Sequence, residues 1–248
     1  HNLGMMANWN QGISYCRGQY WGKLDADDYW SPDMVGDCVN ILNQYPEVGL
    51  VCTNYRVIDA QGKFMPEREY RLPLAARHQP LDFTRFVKKG PDQMLGEGIA
   101  HQGIGLLRAK IFDQLGRFSQ LAAGDIEMWY RIGAHYKIFA LDKFHHFYRS
   151  WAGNFTHTQV LAQDKAKPNY YEMRQAILDY YVQQGQLSQK EYHRFSQENQ
   201  FARHHHFLYH HRAKGAYLKS FYYLGQMLLK QPEKTWQFYK DRLLSYLK

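Results

Sequence analysis

The stretch Tyr20-Trp21-Gly22-Lys23-Leu24-Asp25-Ala26-Asp27-Asp28 joins a short apolar run to a cluster of three carboxylates. Residues 20–24 are typical of a β-strand, and a helical pattern begins a few residues after the carboxylates. A strand followed closely by a helix is typical of α/β proteins, in which ligand sites lie beyond the carboxyl ends of strands. The stretch therefore predicts an α/β fold with a candidate site at its three carboxylates.

The sequence beyond this stretch alternates between helical and strand-like patterns. Ser31 is suited to cap a helix and Pro32 to its first position, and apolar residues then recur at helical spacing. Residues 64–91 are rich in Pro, Arg and Gly, which predicts an insertion or lid. The predicted helices lie at 31–45, 82–89, 109–115 and 125–134. The predicted strands are a buried strand at 48–52 with a half-exposed continuation at 54–58, and strands at 137–141 and 146–149. This alternation favours a layered α/β domain.

Composition limits the class of protein. The chain has 248 residues and a mass of 29.5 kDa, with 45% hydrophobic and 22% charged residues, which is typical of a folded protein with a buried core. No stretch reaches the roughly 18 consecutive apolar residues of a membrane span. Cys16, Cys38 and Cys52 form no CxxC pair and no even-numbered framework, so they indicate neither a zinc site nor a disulfide scaffold. A reducing, cytoplasmic compartment fits this composition.

The basic charge is concentrated in the last third of the chain. Residues 1–164 carry 17 basic and 17 acidic residues, whereas residues 165–248 carry 14 and 6. We therefore predict two parts, a neutral domain at 1–164 and a basic α-helical region of three or four helices at 165–248. Two apolar stripes at helical spacing predict faces that pack on a partner: Tyr217, Phe221, Leu224 and Leu228, and Trp236, Tyr239, Leu243 and Tyr246.

The acidic cluster Asp25, Asp27 and Asp28 has two interpretations. Carboxylates this close repel one another, so they need a cation or strong hydrogen bonds to stay ionised, and their oxygens suit Mg²⁺ or Mn²⁺ that also holds a substrate phosphate. The alternative is a solvated acidic turn before the next helix. An EF-hand is excluded, because Tyr29 and Trp30 stand at its fifth and sixth loop positions, where Asp or Asn and Gly are required.

A second acidic site opens the helix predicted at 125–134. Asp125 could serve only as the N-cap of that helix. A carboxylate at a helix mouth can also act as general base toward a hydroxyl nucleophile. On this residue alone, both interpretations stay open.

Short motifs follow one another in order along residues 1–160, and the series is more specific than any single member. They are Asn2-Leu3-Gly4 through Asn10-Gln11-Gly12-Ile13, Arg17-Gly18-Gln19-Tyr20, Leu24-Asp25-Ala26-Asp27-Asp28, Pro46-Glu47-Val48-Gly49-Leu50-Val51, His101-Gln102-Gly103, residues 112–118, Asp125-Ile126-Glu127-Met128-Trp129-Tyr130-Arg131 and Tyr148-Arg149. In this order the sequence resembles the middle of a family 2 glycosyltransferase of the GT-A fold. That resemblance implies a Rossmann-like mixed sheet with flanking helices, followed here by the C-terminal α-helical region.

The resemblance also implies a role for each matching residue. Asp27 would bind the metal directly, Asp25 would contact the donor ribose or the metal, and Asp28 and Asn10 would support donor binding. Asp125 would be the catalytic base of an inverting transfer from a nucleotide-sugar, with Mg²⁺ or Mn²⁺ as cofactor. The predicted acceptor contacts are His101, Gln102 and Trp129, for which packing is the alternative role.

Three features depart from the family pattern. The family's N-terminal strand–helix–strand–helix unit, on the order of 60 residues, would lie upstream, and since the chain begins at His1 we expect it to be a fragment. Trp151 stands where many members carry a His that could be a third metal ligand. Ser119 stands where an Asp often follows a Phe.

The sequence supports one function and leaves alternatives. We expect a glycosyltransferase of cell-envelope or surface polysaccharide synthesis, acting on a sugar or lipid-linked acceptor, with contact to an anionic membrane at its cytoplasmic face. The alternative is a non-catalytic GT-A-like binding or assembly module. No nucleic acid is expected as a partner, although the basic region alone would suit one. The histidines at 204–206, 210 and 211 predict a solvated basic face rather than a metal site.

Overall fold

The computed structural model describes residues 3–72, 79–90, 104–121, 123–154 and 166–246. These residues form two compact units, His1–Gln189 and Lys190–Lys248, each considered by itself below. The sequence-based boundary after residue 164 separates the neutral domain from the basic helical region, and it stays a prediction.

The secondary structure alternates in the first unit and is helical in the second. The strands are β1 (Tyr20–Trp21), β2 (Tyr29–Trp30), β3 (Val48–Ile58), β4 (Phe64–Tyr70), β5 (Ile104–Arg108) and β6 (Lys137–Arg149). The helices are α1 (Met5–Tyr15), α2 (Met34–Gln44), α3 (Thr84–Val87), α4 (Ile111–Leu115), α5 (Gly124–Gly133), α6 (Ala166–Gln183), α7 (Gln189–Ala213), α8 (Tyr217–Lys230) and α9 (Pro232–Tyr246).

The strands form one mixed sheet in the order β1-β5-β3-β6-β2. β3 and β6 run parallel, and the other strand pairs are antiparallel. β5 pairs with the first half of β3, and β4 pairs with the second half. The predicted fold, a mixed sheet with flanking helices and a C-terminal helical region, is confirmed.

The core beside the site forms between α2 and the sheet. Met34, Cys38 and Leu42 recur every four residues, so they lie on one helical face, and they are essentially inaccessible to solvent. They pack with Val51 and Phe139 from β3 and β6. This packing fixes the sheet on which the acidic turn is built.

Two strand predictions and one cap prediction need correction. The predicted continuation of the strand at 48–52 through 54–58 is present in β3. The runs at 137–141 and 146–149, by contrast, form a single strand, and the region predicted as a lid begins with strand β4. α2 begins at Met34, and the predicted capping role of Ser31 is wrong. Ser31 instead makes two hydrogen bonds to His145. Its hydroxyl Oγ lies 2.5 Å from Nδ1 of the ring, and its backbone N–H donates to the His145 carbonyl across 2.9 Å.

The second unit consists of most of α7 together with α8 and α9. Phe201, Leu208 and Met227 form its buried cluster. The histidines of α7 pack against aromatic rings. His205 meets Phe238 edge-on with centroids 4.6 Å apart, and His211 stacks on Tyr223 with centroids 5.6 Å apart. The predicted solvated histidine face is therefore wrong, since these rings are half-buried.

Candidate functional site

The carboxylates Asp25, Asp27 and Asp28 lie in a tight turn between β1 and β2. The Asp28 N–H donates to the Asp25 carbonyl across 3.1 Å, which closes the turn. β2 pairs with the end of β6, so the turn lies beside the last residues of that strand. The local sequence thus places three acids in four residues where two strands meet.

Asp28 attaches this turn to β6. Its side chain is only 1% exposed, and His146 Nε2 lies 2.8 Å from Oδ2. The Arg149 N–H donates to Oδ1, also across 2.8 Å. Both carboxylate oxygens are therefore engaged by the protein, and the supporting role of Asp28 in donor binding stays a prediction.

Arg149 ties the same turn to a second loop. Its Nε donates to the Asp27 carbonyl across 2.7 Å, and its Nη1 donates to the carbonyls of Asp59 and Ala60 across 3.1 and 3.0 Å. The Tyr148-Arg149 pair of the sequence pattern thus acts here through its arginine. This guanidinium fixes the backbone of the acidic turn.

Asp27 and Asp25 are the accessible carboxylates of the turn. Trp151 Nε1 donates to Asp27 Oδ2 across 3.1 Å. Lys23 Nζ lies 2.6 Å from Asp25 Oδ2, and the Asp25 side chain is 42% exposed. In the described part of the chain nothing donates to the Oδ1 atom of either residue, so each keeps one oxygen for a ligand.

Lys23 supplies a cation inside the site. Its side chain is only 15% exposed, and Nζ lies 4.0 Å from the centroid of the Trp9 ring. The ammonium group is thus held between an aromatic face and a carboxylate, where a cation–π contact and a charge-assisted hydrogen bond position it. The site therefore contains a fixed positive charge as well as the acids.

Asp125 lies in the first turn of α5, where the chain makes a close approach. A Cβ on the preceding Gly124 would lie 2.3 Å from the Ser119 carbonyl oxygen, so this position requires glycine. The Ile126 N–H donates to Asp125 Oδ1 across 2.9 Å. α5 thereby presents Asp125 at its positive end.

The electrostatics of Asp125 place it beside the acidic turn. Burial raises the pKa of this carboxyl, while the Ile126 N–H and the Lys23 charge lower it and the Asp25 charge raises it. Tyr170 on α6 is also near: burial and then the Asp125 charge raise the pKa of this phenol. The structure therefore brings Asp125, Lys23 and Asp25 together across 100 residues of sequence.

Glu127, two residues after Asp125, has a structural role. It is buried and accepts two hydrogen bonds from Arg131, at 2.9 Å to Oε1 and 2.8 Å to Oε2. Arg131 also donates to the carbonyls of Leu115 and Arg117. This ion pair holds the loop before α5, and Asp125 is left as the carboxylate of that helix that faces the acidic turn.

Other predicted site residues have structural contacts. Asn10 pairs with Phe118 through both ends of its amide, since Nδ2 donates to the carbonyl across 2.8 Å and Oδ1 accepts from the N–H across 2.9 Å. Trp129 is buried, and its ring meets Phe118 edge-on at 5.7 Å. The packing role that the sequence left open describes Trp129 here. His101 and Gln102 lie outside the described residues, so their acceptor contacts, like that of Asn10 to the donor, stay predictions.

The donor set suits a cation that a substrate also holds. In the ranges that the structure describes, no three side chains of His, Cys, Asp or Glu gather as a complete metal cage. Mg²⁺ and Mn²⁺ are commonly bound by one or two carboxylates together with substrate phosphates, and the Oδ1 atoms of Asp25 and Asp27 provide that number. The residues therefore fit a metal that arrives with a diphosphate.

Sequence reasoning did not single out three of these neighbours: Lys23, Trp9 and Tyr170. One signal was available, because Lys23 is a charged residue inside an otherwise apolar strand, where a charge needs a partner. Tyr170 could not be found this way, since α6 follows Asp125 by some 40 residues and carries no local motif.

Comparison with known proteins gives a consistent assignment. Residues 1–116 match the family model described as glycosyl transferase family 2. A stretch of 78 residues is 32% identical to chondroitin synthase of Escherichia coli, and it covers 32% of this chain and 11% of that protein. Residues 1–349 of TarS from S. aureus give a structural alignment with TM-score 0.46 and 10% identity, over 94% of this chain and 73% of that one. The first 116 residues, a little under half of the chain, are therefore similar to glycosyl transferase family 2.

Proposed function

We propose that this chain transfers a sugar from a nucleotide-sugar donor to an acceptor hydroxyl, with inversion at the anomeric carbon. The observation that carries the proposal is the electrostatic coupling of the half-buried carboxyl of Asp125 to Asp25, which lies with Asp27 in the accessible acidic turn. Asp25 and Asp27 suit the binding of a charged donor, and Asp125 suits proton transfer. The match of residues 1–116 to the family model supports both assignments.

The donor side is formed by the acidic turn. Asp27, with Asp25, would hold Mg²⁺ or Mn²⁺ together with the donor diphosphate, and the cation would supply positive charge that stabilises the leaving group. Trp151 and Arg149 hold Asp27 in place through its carboxylate and its backbone carbonyl. Lys23 adds a further positive charge, which offsets the repulsion among the carboxylates.

The acceptor side is formed by Asp125. Its pKa is raised by burial, and a base whose pKa lies closer to neutral pH accepts a proton from a hydroxyl more effectively than an ordinary Asp. The Ile126 N–H engages Oδ1, which leaves Oδ2 for the acceptor. The N-terminus of α5 keeps the carboxylate oriented.

The reaction is a single displacement. The acceptor oxygen forms a bond to the anomeric carbon while its proton passes to Asp125. The bond between that carbon and the diphosphate oxygen breaks, and its electron pair leaves with the diphosphate. Attack from the face opposite the leaving group inverts the configuration, so one base and one stabilised leaving group suffice.

The biological setting is proposed from the relatives and the composition. The E. coli relative is named for chondroitin synthesis, which supports a role in cell-envelope or surface polysaccharide synthesis with a sugar or lipid-linked acceptor. The cysteines Cys16, Cys38 and Cys52 are all free thiols, in keeping with a reducing compartment. None of the helices in the described ranges is long and apolar enough to cross a membrane. We propose action at the cytoplasmic face of an anionic membrane.

The direct test is a transfer assay with a panel of UDP-, GDP- and dTDP-sugars, Mn²⁺ and oligosaccharide acceptors. We expect acceptor-dependent release of nucleoside diphosphate, loss of release in Asp125→Asn and Asp27→Asn, and an inverted anomeric product by NMR. Asp33→Asn is the control, because Asp33 is exposed and makes no side-chain cap on α2. Binding of donor without transfer to any acceptor would instead indicate a binding module.

A further inference from the structure

Helix α8 in the second unit exposes large apolar side chains on one face. Leu218 is 88% exposed and Leu229 is 81% exposed, with Phe221 at 65% and Tyr222 at 61%. Phe221, Tyr222 and Leu229 follow Leu218 by three, four and eleven residues, so all four lie along one side of the helix. The opposite side is packed, since Ser220 and Met227 are buried.

The same helix carries the apolar stripe predicted from the sequence. Tyr217, Phe221 and Leu228, which were predicted to pack on a partner, are exposed, whereas Leu224 packs against the buried cluster of the second unit. The helix is therefore apolar on both sides: one side is covered by its own unit, and the other is open. An exposed apolar face of this kind marks an interaction surface.

Cations outnumber acids along this segment. Residues 199–232 contain five Lys and Arg and no Asp or Glu, with Glu198 and Glu233 directly outside this range. Lys219 and Lys230 lie on α8 itself and are exposed, near either end of the apolar face, and Arg212 and Lys214 precede the helix. The excess of cations beside the apolar residues favours an anionic occupant.

We propose that the exposed face of α8 is a docking surface for an anionic lipid bilayer, with the helix lying in the plane of the interface. Helices that bind in this way combine Leu and aromatic residues on one face with Lys or Arg beside them, as α8 does. Exposed Trp236 on α9, at 71%, adds a residue type common at membrane surfaces. A second copy of the chain is disfavoured, because two such faces would bring like charges together.

The inference deepens the membrane contact in the proposed function, but it uses only residues of the second unit. A failure here would leave the proposed sugar transfer untouched, because none of the residues of the acidic turn or α5 takes part. Conversely, loss of transfer in Asp125→Asn would leave the docking surface unaffected. The two proposals are thereby tested separately.

The experiment is co-sedimentation of the full chain with vesicles of phosphatidylcholine and phosphatidylglycerol, compared with phosphatidylcholine alone. We expect binding to the anionic vesicles at low salt that weakens as salt is added. Leu218→Ser with Leu229→Ser should weaken binding at least about tenfold, because it removes apolar area from the docking face. Lys219→Gln with Lys230→Gln should weaken it about 30-fold.

The control is Val35→Ser, which changes an exposed apolar residue of the first unit and should bind like the parent chain. Circular dichroism should show that all variants keep their helices, since the substituted side chains are exposed. The proposal is overturned if the chain does not bind anionic vesicles at low salt, or if the α8 variants bind as well as Val35→Ser. Concentration-dependent self-association that the leucine variant abolishes, without vesicle binding, would assign the face to a second copy and also overturn it.

Discussion

The indole Nε1 of Trp151 donates a hydrogen bond to Asp27 Oδ2 across 3.1 Å, and the two residues are 124 positions apart. In the family pattern many members carry a His at the position of Trp151. A neutral N–H that donates to the carboxylate orients it without competing for its second oxygen. Trp151 is therefore a positioning residue for Asp27 in the proposed donor site.

Trp151→Phe keeps the ring but removes this N–H. We expect affinity for a nucleoside diphosphate with Mn²⁺ to fall about fivefold, the effect of one hydrogen bond of about 1 kcal/mol. Thermal stability should change little, since Trp151 is 45% exposed. Trp236→Phe in the second unit is the matched control, and equal affinity in both variants would contradict the positioning role.

Asp28→Asn tests the structural role of the third carboxylate. Its two oxygens accept from Arg149 and pair with His146, and an amide can reproduce only one acceptor. Because the group is buried, we expect the free energy of unfolding to fall by about 2 kcal/mol in chemical denaturation. Asp27→Asn, at the accessible neighbour, should leave stability nearly unchanged and remove donor binding. The opposite pattern would exchange the two roles.

Asp125→Asn separates catalysis from stability. We expect transfer to fall about 100-fold or more, because the variant lacks a general base. Burial raises the pKa of Asp125 in the folded state, so ionising this group disfavours folding once the pH exceeds the unfolded value of about 3.9. The variant should therefore be at least as stable as the parent chain at neutral pH, as measured by thermal unfolding, and markedly lower stability there would show that the carboxylate serves the fold.

Lys23→Met tests the cation in the site. The Lys23 charge lowers the pKa of Asp125, so its removal should raise that pKa further. The acid limb of the pH profile of transfer should then move to higher pH, because Asp125 must be ionised to accept a proton. Lys63→Met, on the exposed turn before β4, is the control. An unmoved acid limb in Lys23→Met would contradict the electrostatic role of Lys23.

The sequence identified the elements of the fold better than their continuity. Residues 54–58 of β3 were predicted to be half-exposed, yet they are largely buried, and Asn54 is satisfied by Asp142 across 2.7 Å and by the Leu72 N–H across 2.8 Å. β4 was missed because its side chains are largely polar and it contains Pro66. An edge strand tolerates proline, and stacking of Tyr70 on Tyr55 helps to hold it.

The residues of the candidate site fall into two groups: those that local motifs identify and those that only the fold brings together. The acidic turn and Asp125 were found from motifs, because each lies within a few residues of a strand or helix end. The partners of the turn, His146, Arg149 and Trp151, come from sequence more than 100 residues away and depend on the parallel pairing of β3 with β6. Local patterns carry no information on such pairing. Asp28 and Asp27 look alike in the sequence. Only the burial of the Asp28 side chain distinguishes it from Asp27, the proposed metal ligand.

The measurement that tests the central claim most directly is calorimetric titration of the chain with UDP, GDP and dTDP, with and without Mn²⁺, alongside Asp27→Ala and the control Asp33→Asn. The account predicts binding of at least one nucleotide that requires Mn²⁺, is lost in Asp27→Ala and persists in Asp33→Asn. Binding that Asp27→Ala leaves intact, or no binding of any of the three nucleotides, would contradict the assignment of the acidic turn as the donor site.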